Sequence, residues 1–210
     1  YRKVLWRALD DAGYRNLDFV GSLRRDACPG DDSFDADTEG HSGYQATVMA
    51  RKRWLPYWLA DARPQIVLMH LGTNDIYRGK STEQILAGFD TLLRQLRAAN
   101  PRITVLVAQI IPQARPGCAR CARGVVALDN ALVGWARARC TATSRVVLVD
   151  QWTGFDATQD TKLVRGVPDG VHPNHTTGIQ KVAAGWLKPL TAVLDGRVPK
   201  SSRTTITLTP

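Results

Sequence analysis

The sequence lacks the features of a membrane protein. No apolar run is long enough to cross a bilayer, and no signal peptide is visible. The composition is otherwise ordinary for a globular protein, with 44% hydrophobic and 22% charged residues. A chain of 210 residues is long enough to bury a full core, so its length predicts one α/β domain.

The sequence also lacks a basic stripe of the kind that follows a nucleic-acid backbone. The net charge is +9, with 28 Lys and Arg residues, which suits an acidic partner. The basic residues are scattered, however, and no aromatic residues alternate with them. We therefore expect a solvated surface and no nucleic-acid partner. The scattered positions include Arg2, Arg24, Arg51 to Arg53, Arg115, Arg137 and Arg165.

Cysteines are few, and their spacing does not form a zinc motif. Cys118 and Cys121 form a C-x-x-C pair in a loop that contains Pro and Gly. A zinc site would need a second pair, and Cys28 and Cys140 lack that spacing. A redox pair would usually open a helix just after the first strand of its fold. The pattern favours a small structural disulfide in a secreted enzyme over these two alternatives.

The acidic loop over residues 23–40 is a second place where a metal is conceivable. Asp35, Asp37 and Glu39 alternate as oxygen ligands of Ca²⁺ can. A solvated loop is the simpler interpretation, and we expect no metal or organic cofactor.

Continuous apolar runs alternate with amphipathic segments along the chain. The runs predict strands that are buried on both faces, and Ser81-x-x-Gln84 is a capping box that predicts the start of a helix. This alternation predicts a parallel, doubly wound sheet, which binds ligands beyond the carboxyl ends of its strands. The pattern fades from about Gly196, so we expect a domain over 1–195 and a tail or linker over 196–210. Predicted strands are 17–21, 65–71, 103–111 and 146–149, and predicted helices include 1–12, 46–60 and about 120–139.

The segment Asp169-Gly-Val-His-Pro173 contains an acid and a base, three residues apart, in a predicted loop. In acyl transfer the histidine takes the proton of a nucleophile, while the aspartate fixes its tautomer. A D-x-x-H spacing alone also occurs in ordinary surface turns. Two further motifs strengthen the functional interpretation, Ser42-Gly43 and Gly72-Thr-Asn-Asp75. All three are predicted to lie at the carboxyl edge of the sheet.

In this order, the three motifs resemble those of the SGNH (GDSL-type) hydrolases. Glu39-Gly-His-Ser-Gly43 and Asp150-Gln-Trp-Thr-Gly-Phe155 further resemble the family 3 carbohydrate esterases, which include acetylxylan esterases. The resemblance covers roughly residues 1–195. It implies an α/β, flavodoxin-like three-layer sandwich with the strand order 2-1-3-4-5.

The resemblance also implies roles for four residues. The backbone N–H of Gly43 and the side-chain amide of Asn74 match the donors of an oxyanion hole, while Asp169 and His172 match the acid and the general base. The family's Gly-Asp-Ser block, which contains the nucleophile, has no match. In the family it follows the first strand, just before the helix that here begins at Tyr1, so the serine is expected upstream of Tyr1.

Other serines and histidines are weaker candidates for the chemistry. Ser42 adjoins Gly43, and no Gly-x-Ser-x-Gly elbow surrounds it. Ser22 ends a predicted strand without a Gly-rich turn. We expect neither to be the nucleophile. Structural or rim positions are predicted for three histidines, His41, His70 and His175.

The missing block has a consequence for the fold, because the family's first strand is central in the sheet. Without it, the strands at 17–21 and 66–71 would each expose an unpaired edge. Each unpaired buried group costs about 1–3 kcal/mol, against a total stability of roughly 5–15 kcal/mol. The sequence therefore predicts an N-terminally incomplete chain, with strand and serine on one upstream segment.

The resemblance implies a secreted serine esterase that removes acyl groups, chiefly acetyl, from plant polysaccharide or its oligomers. We expect a monomer, with a linked carbohydrate-binding module as an option. The resemblance also implies that Cys28 pairs with a cysteine upstream of Tyr1, which leaves Cys140 without a partner. The alternatives are a non-catalytic carbohydrate-binding relative and a basic protein that binds an acidic polymer.

Overall fold

Five parallel strands form the centre of the fold in the computed structural model, which describes residues 1–24, 33–197 and 204–208. The sheet order is β1-β9-β4-β5-β6, and two antiparallel hairpins, β2–β3 and β7–β8, lie outside it. The strands are β1 (Leu17–Phe19), β2 (Leu23–Arg24), β3 (Asp37–Thr38), β4 (Ile66–Met69), β5 (Thr104–Ala108), β6 (Val146–Val149), β7 (Thr161–Val164), β8 (Val167–Pro173) and β9 (Thr204–Leu208).

Helices flank the sheet, as the alternating pattern predicted. Helix α1 packs against α7, while α2 and α3 pack against α5, which also contacts α6. The helices are α1 (Arg2–Asp11), α2 (Ala46–Lys52), α3 (Trp54–Ala62), α4 (Thr73–Tyr77), α5 (Thr82–Ala99), α6 (Ala119–Arg139) and α7 (Thr177–Arg197). The predicted α/β, three-layer class is therefore confirmed. Among the described helices, none is long and apolar enough to cross a membrane.

Local sequence accounts for the best-defined elements. Every residue of β4 and β5 is buried, as expected for continuous apolar strands between two helical layers. At the start of α5, the Ser81 side chain accepts from the Gln84 N–H and the Gln84 side chain accepts from the Ser81 N–H, so the predicted capping box is present.

The single helix predicted over 46–60 is in fact two helices. Arg53 separates α2 from α3 and adopts a left-handed conformation with φ 55°. Pro56 explains the break, because proline has no N–H to donate to the carbonyl of Lys52 and its ring would crowd that group.

The central place in the sheet is filled by β9, which corrects two predictions. The segment over 196–210 is not simply a tail, because α7 continues to Arg197 and β9 pairs in parallel with both β1 and β4. The expected unpaired edges at 17–21 and 66–71 are therefore wrong. Ile206 is fully buried, and Thr207 Oγ1 donates to the Val20 carbonyl (2.8 Å). Alternating threonines hid this strand from a search for continuous apolar runs.

The carboxylates of the acidic loop are used within the protein. Asp35 accepts hydrogen bonds from the N–H groups of Phe19 (2.8 Å) and Asp37 (3.1 Å). Glu39 accepts from Ser22 and contacts His41. Within residues 1–24, 33–197 and 204–208, no group of three or more His, Cys, Asp or Glu side chains could hold a metal ion.

Candidate active site

One cavity of about 550 Å³ brings the three motifs together at the carboxyl edge of the sheet. The predicted site residues Gly43, Asn74, Asp169 and His172 all line it, and so does Tyr1. These residues come from four separate parts of the chain, so the sheet and its connections create the site.

Asp169 and His172 lie on β8 and form a closed pair. This placement differs from the loop expected from the sequence, because residues 167–173 pair with β7 in an irregular hairpin. The Asp169 Oδ2 atom lies 2.7 Å from His172 Nδ1. Its Oδ1 atom accepts from the backbone N–H groups of Val171 (2.8 Å) and His172 (2.9 Å). The carboxylate therefore holds both the turn and the ring.

The electrostatics of the pair suit a general base. Burial raises the pKa of Asp169, but the hydrogen bonds from the His172 N–H, the His172 ring and the Val171 N–H outweigh burial and lower it below the usual value. Asp169 thus stays ionised and stabilises an imidazolium. The side chain of His172 is 65% exposed against 17% for Asp169. Since Nδ1 is occupied, Nε2 is the nitrogen left for a nucleophile.

Gly170 lets this turn lie close to the β5–α6 connection. Its φ is +66°, and a Cβ atom there would stand 2.3 Å from the Ala114 carbonyl carbon. The Ala114 N–H donates to the Gly170 carbonyl (2.9 Å), and the Gly170 N–H donates to Thr161 Oγ1 (3.1 Å). A side chain at this position would push the base out of place.

Gly43 lines the cavity in a left-handed backbone conformation. It has a φ of +80°, and an added Cβ would find no atom within 4 Å. The N–H of Gly43 makes no hydrogen bond to any residue in the described ranges. It is therefore available to a ligand oxygen, as an oxyanion donor must be.

Asn74 connects this loop to the start of α4. Its Nδ2 atom donates to the Tyr44 carbonyl (3.1 Å), one residue beyond Gly43. A side-chain amide has two N–H groups, so one remains for a second partner. Gly43 and Asn74 thus line one cavity, and each has an N–H group that makes no hydrogen bond to another described residue.

Asp75 is a positioning residue that the sequence reasoning missed. It is fully buried, and its carboxylate accepts from the N–H groups of Ala46 (2.7 Å) and Thr47 (3.0 Å) and from Thr47 Oγ1 (2.6 Å). These bonds tie the first turn of α2 to α4 and so fix the distance between Gly43 and Asn74. The sequence did contain a clue to this role, since Asp75 is a carboxylate in the G-T-N-D segment with no obvious partner nearby.

A polar wall of the cavity was also missed, because its residues belong to no motif. The Tyr77 hydroxyl donates to Gln113 Oε1, and the Arg115 guanidinium carbon lies 4.5 Å from the centre of the Tyr77 ring. Burial and, to a smaller degree, the charge of Asp169 raise the pKa of Tyr77 to about 12, although the charge of Arg115 opposes this. The Tyr77 hydroxyl therefore stays protonated at neutral pH.

The other histidines and serines occupy structural or rim positions. His41 packs against the rings of both Tyr44 and Trp58, with centroids 4.6 and 4.4 Å away, and its Nε2 lies 2.6 Å from Glu39. Burial lowers the pKa of His70 to about 4, so it is neutral at physiological pH. His175 is exposed.

Ser22 and Ser42 differ in their environments. Ser22 Oγ donates to Glu39 Oε1 (2.8 Å), so its hydroxyl is occupied. Ser42 is exposed and lines the same cavity as His172.

Two of the cysteines form the pair that their spacing favoured. Cys118 and Cys121 form a disulfide with Cα atoms 5.3 Å apart, and the exposed Cys140 makes no disulfide with another described residue. The disulfide closes the first turn of α6, next to the connection that carries Arg115. Cys28 lies outside the described residues, so its expected pairing remains a prediction.

Comparisons with known proteins give the family. The profile of the GDSL-like Lipase/Acylhydrolase family matches residues 7–177. Two crystal structures share 33% identity and a TM-score of 0.81 over 94% of this chain and 92% of theirs. One is an acetyl esterase with a serine-to-alanine mutation and an acetate ion, and the other is a carbohydrate esterase family 3 protein from Talaromyces cellulolyticus.

A curated relative is much longer than this chain. The multidomain esterase of Ruminococcus flavefaciens is 26% identical over 213 residues, which cover 92% of this chain and 26% of that protein. The family match covers far more than half of the chain, and its three motifs share one cavity at the carboxyl edge of the sheet. The chain therefore belongs to the GDSL-like lipase/acylhydrolase family, as its motifs predicted.

Proposed function

We propose that the protein is a serine esterase that removes acyl groups, chiefly acetyl, from polysaccharide or its oligomers. The observation that carries this proposal is the shared cavity of the Asp169–His172 pair with the donors Gly43 and Asn74. Similarity to an acetyl esterase and to a family 3 carbohydrate esterase supports the substrate class.

The base side of the site, which consists of Asp169 and His172, transfers protons during the reaction. His172 Nε2 takes the proton of the serine hydroxyl as the serine attacks the ester carbonyl. The imidazolium then gives that proton to the leaving sugar hydroxyl, while Asp169 holds the ring and offsets its charge. In the second half of the cycle, His172 activates a water molecule that releases the acid.

The oxyanion side of the site, which consists of Gly43 and Asn74, stabilises the tetrahedral intermediate. The Gly43 N–H and the Asn74 amide donate hydrogen bonds to the carbonyl oxygen as it becomes negative. Each such donor contributes about 3–4 kcal/mol to the transition state. The Tyr44 carbonyl, which accepts from Asn74 (3.1 Å), orients that amide before substrate arrives.

The nucleophile in this proposal is a serine in sequence that precedes Tyr1. Tyr1 lines the same cavity as His172, so a residue shortly before it could enter the site. Because β9 already fills the sheet, such a segment needs to supply only the serine-bearing turn. Ser42 is the alternative nucleophile, since it also lines the cavity.

Two further features of the proposal concern the protein's surroundings. The Cys118–Cys121 disulfide supports secretion, because disulfides persist in oxidising compartments. The length of the multidomain relative supports a linked domain such as a carbohydrate-binding module.

Hydrolysis of an aryl acetate by two chains tests the proposal. One chain is residues 1–210, and the other carries a Gly-Asp-Ser segment before Tyr1. We expect the shorter chain to lose roughly 10⁶ in kcat relative to the longer one, since a triad without its serine retains little activity. A fluorophosphonate should label the added serine, as shown by peptide mass mapping.

Two variants make the outcomes distinct. Full activity of residues 1–210 that disappears in Ser42→Ala would make Ser42 the nucleophile. An extended chain that binds oligosaccharide but hydrolyses no ester would favour the non-catalytic carbohydrate-binding relative. His172→Ala in the extended chain should abolish turnover and serves as the negative control.

A further inference from the structure

A second cavity, of about 370 Å³, lies at the carboxyl ends of β5 and β6. None of the residues that line it also lines the cavity of His172. It contains Asp150 and Trp152 from the Asp150–Phe155 segment, which has no part in the proposed chemistry. The lining residues are Gln109, Val126, Asp129, Asn130, Asp150, Trp152 and Thr153.

Trp152 gives this cavity an aromatic wall. The residue is 36% exposed, although a large indole is usually buried. Its backbone is fixed, because Asp150 Oδ1 accepts from the N–H groups of both Trp152 and Thr153 at 2.8 Å. A partly exposed indole on this fixed backbone offers a flat apolar surface on which the C–H face of a sugar ring can stack.

Asp129 contributes an oxygen that lacks a partner. The residue is only 4% exposed, and its Oδ1 atom accepts from the Ile110 N–H (2.7 Å). Its Oδ2 atom is buried and makes no hydrogen bond within the described part of the chain. An unsatisfied buried acceptor is costly, so a donor from a ligand would stabilise the site.

The protonation of Asp129 fits an uncharged ligand. Burial and, to a smaller degree, the charge of Asp150 raise the pKa of Asp129 to about 7, although the hydrogen bond from the Ile110 N–H opposes this. Near neutral pH the carboxyl group therefore both donates and accepts hydrogen bonds. Sugar hydroxyls suit this state, because each hydroxyl is also both a donor and an acceptor.

Two side-chain amides complete the set. Gln109 and Asn130 line the cavity, and neither side chain makes a hydrogen bond to another described residue. No Lys or Arg is among the lining residues, so the cavity offers no counter-charge to an anion. Free amides, an acid and an exposed indole together suit a neutral polyhydroxyl compound.

We propose that this second cavity, which we call the distal sugar subsite, binds a neutral part of the polysaccharide whose acyl group enters the first cavity. Asn74 follows β4 and the distal sugar subsite follows β5 and β6, so all belong to the same edge of the sheet. Two strand spacings amount to about 10 Å, a distance that a short oligosaccharide can span. This inference rests on the proposed function for its substrate.

Binding of unacetylated xylohexaose to residues 1–210 tests the subsite without any catalysis. Calorimetric titration should show that Trp152→Ala weakens binding at least about tenfold, while Trp152→Phe keeps most of it. Tyr57→Ala is the matched control, because Tyr57 is 81% exposed and lies outside this cavity. Thermal melts should show that all three variants remain folded.

Kinetics of the active, serine-bearing chain separate the subsite from the esterase reaction. Trp152→Ala should raise KM for acetylated xylo-oligosaccharides about tenfold, with kcat unchanged. Its kcat/KM on an aryl acetate should stay within about twofold of the parent, because that substrate cannot reach the subsite. If no ester is hydrolysed but xylohexaose still binds through Trp152, the esterase proposal fails and the subsite stands.

Three outcomes would overturn the subsite. The first is equal binding of xylohexaose by Trp152→Ala and the parent chain, and the second is no binding by the parent. The third is calcium binding that Asp129→Asn abolishes while Trp152→Ala has no effect on xylohexaose binding, which would identify the cavity as a cation site.

Discussion

The two sides of the active site are assembled in different ways. On the base side, Asp169 reaches His172 and the intervening N–H groups through bonds that span two or three residues. On the oxyanion side, the bonds from Asn74 to Tyr44 and from Ala46 to Asp75 span 30 and 29 residues. The acid and base are thus joined by a local turn on a hairpin, whereas the oxyanion side depends on long-range hydrogen bonds between α2 and α4. We therefore expect substitutions on the base side to lower the rate with little loss of stability. Substitutions on the oxyanion side should lower both the rate and the stability.

The largest effect should come from His172→Ala in the serine-bearing chain. Loss of the base should lower kcat on an aryl acetate by roughly 10⁶. Since the His172 ring is largely exposed, the free energy of unfolding should change by less than about 0.5 kcal/mol. A urea titration beside the kinetics checks both values, and His175→Ala, another exposed histidine, is the control. A large loss of stability would mean that the base side is not a local unit.

Asn74→Ala should have the next largest effect on rate. We expect kcat to fall by roughly 10²–10³ with little change in KM, because the amide acts mainly in the transition state. Stability should also fall slightly, since the bond to the Tyr44 carbonyl is lost. Steady-state kinetics on an aryl acetate provide the measurement. Unchanged kcat would remove Asn74 from the mechanism.

Asp75→Ala should lower both the stability and the rate. It leaves the Ala46 N–H, the Thr47 N–H and the Thr47 hydroxyl without their acceptor, at a cost of about 3–5 kcal/mol in stability. The rate should fall as well, because the loop with Gly43 loses its anchor. Chemical denaturation and kinetics at a temperature where the variant is folded would measure both. Normal stability in this variant would contradict the comparison of the two sides.

The smallest expected effect is the loss, in acid, of the stability that Asp169 contributes to the fold. Its pKa is lowered in the folded state, so its ionised form stabilises the fold above the ordinary value, 3.8. This contribution is lost as the pH falls below 3.8 and through the lowered pKa. The difference in melting temperature between the parent and Asp169→Asn should therefore shrink as the pH falls from 5 towards 3. A difference that grew in acid would contradict the assigned direction.

The same contrast explains what could be predicted from the sequence. Local features were readable: the D-x-x-H turn, the capping box at Ser81, and the continuous apolar strands β4 and β5. Features set by distant contacts were not. The carboxylate of Asp75 has no partner near it in sequence, and Tyr77 meets Arg115 only after folding.

Two errors in the predicted elements have different origins. The break at Arg53 follows from Pro56, a local signal that the prediction of a single helix over 46–60 did not take into account. The strand at 204–208 looked like a linker because a strand of alternating threonines gains its stability from neighbouring strands. Roles of Gly43, Asn74, Asp169 and His172 remain predictions, although their positions now agree with them.

The position of β9 has a consequence for the order of folding. Thr207 bonds to Val20 across 187 residues, and Gln65 bonds to Thr205 across 140. Since contacts between distant residues form slowly, closure of the sheet should be a late event in refolding. During synthesis, β1 and β4 leave the ribosome long before β9 and expose their edges until it arrives. The nascent chain would therefore be most prone to aggregation, and most dependent on chaperones, until residues 204–208 have been made.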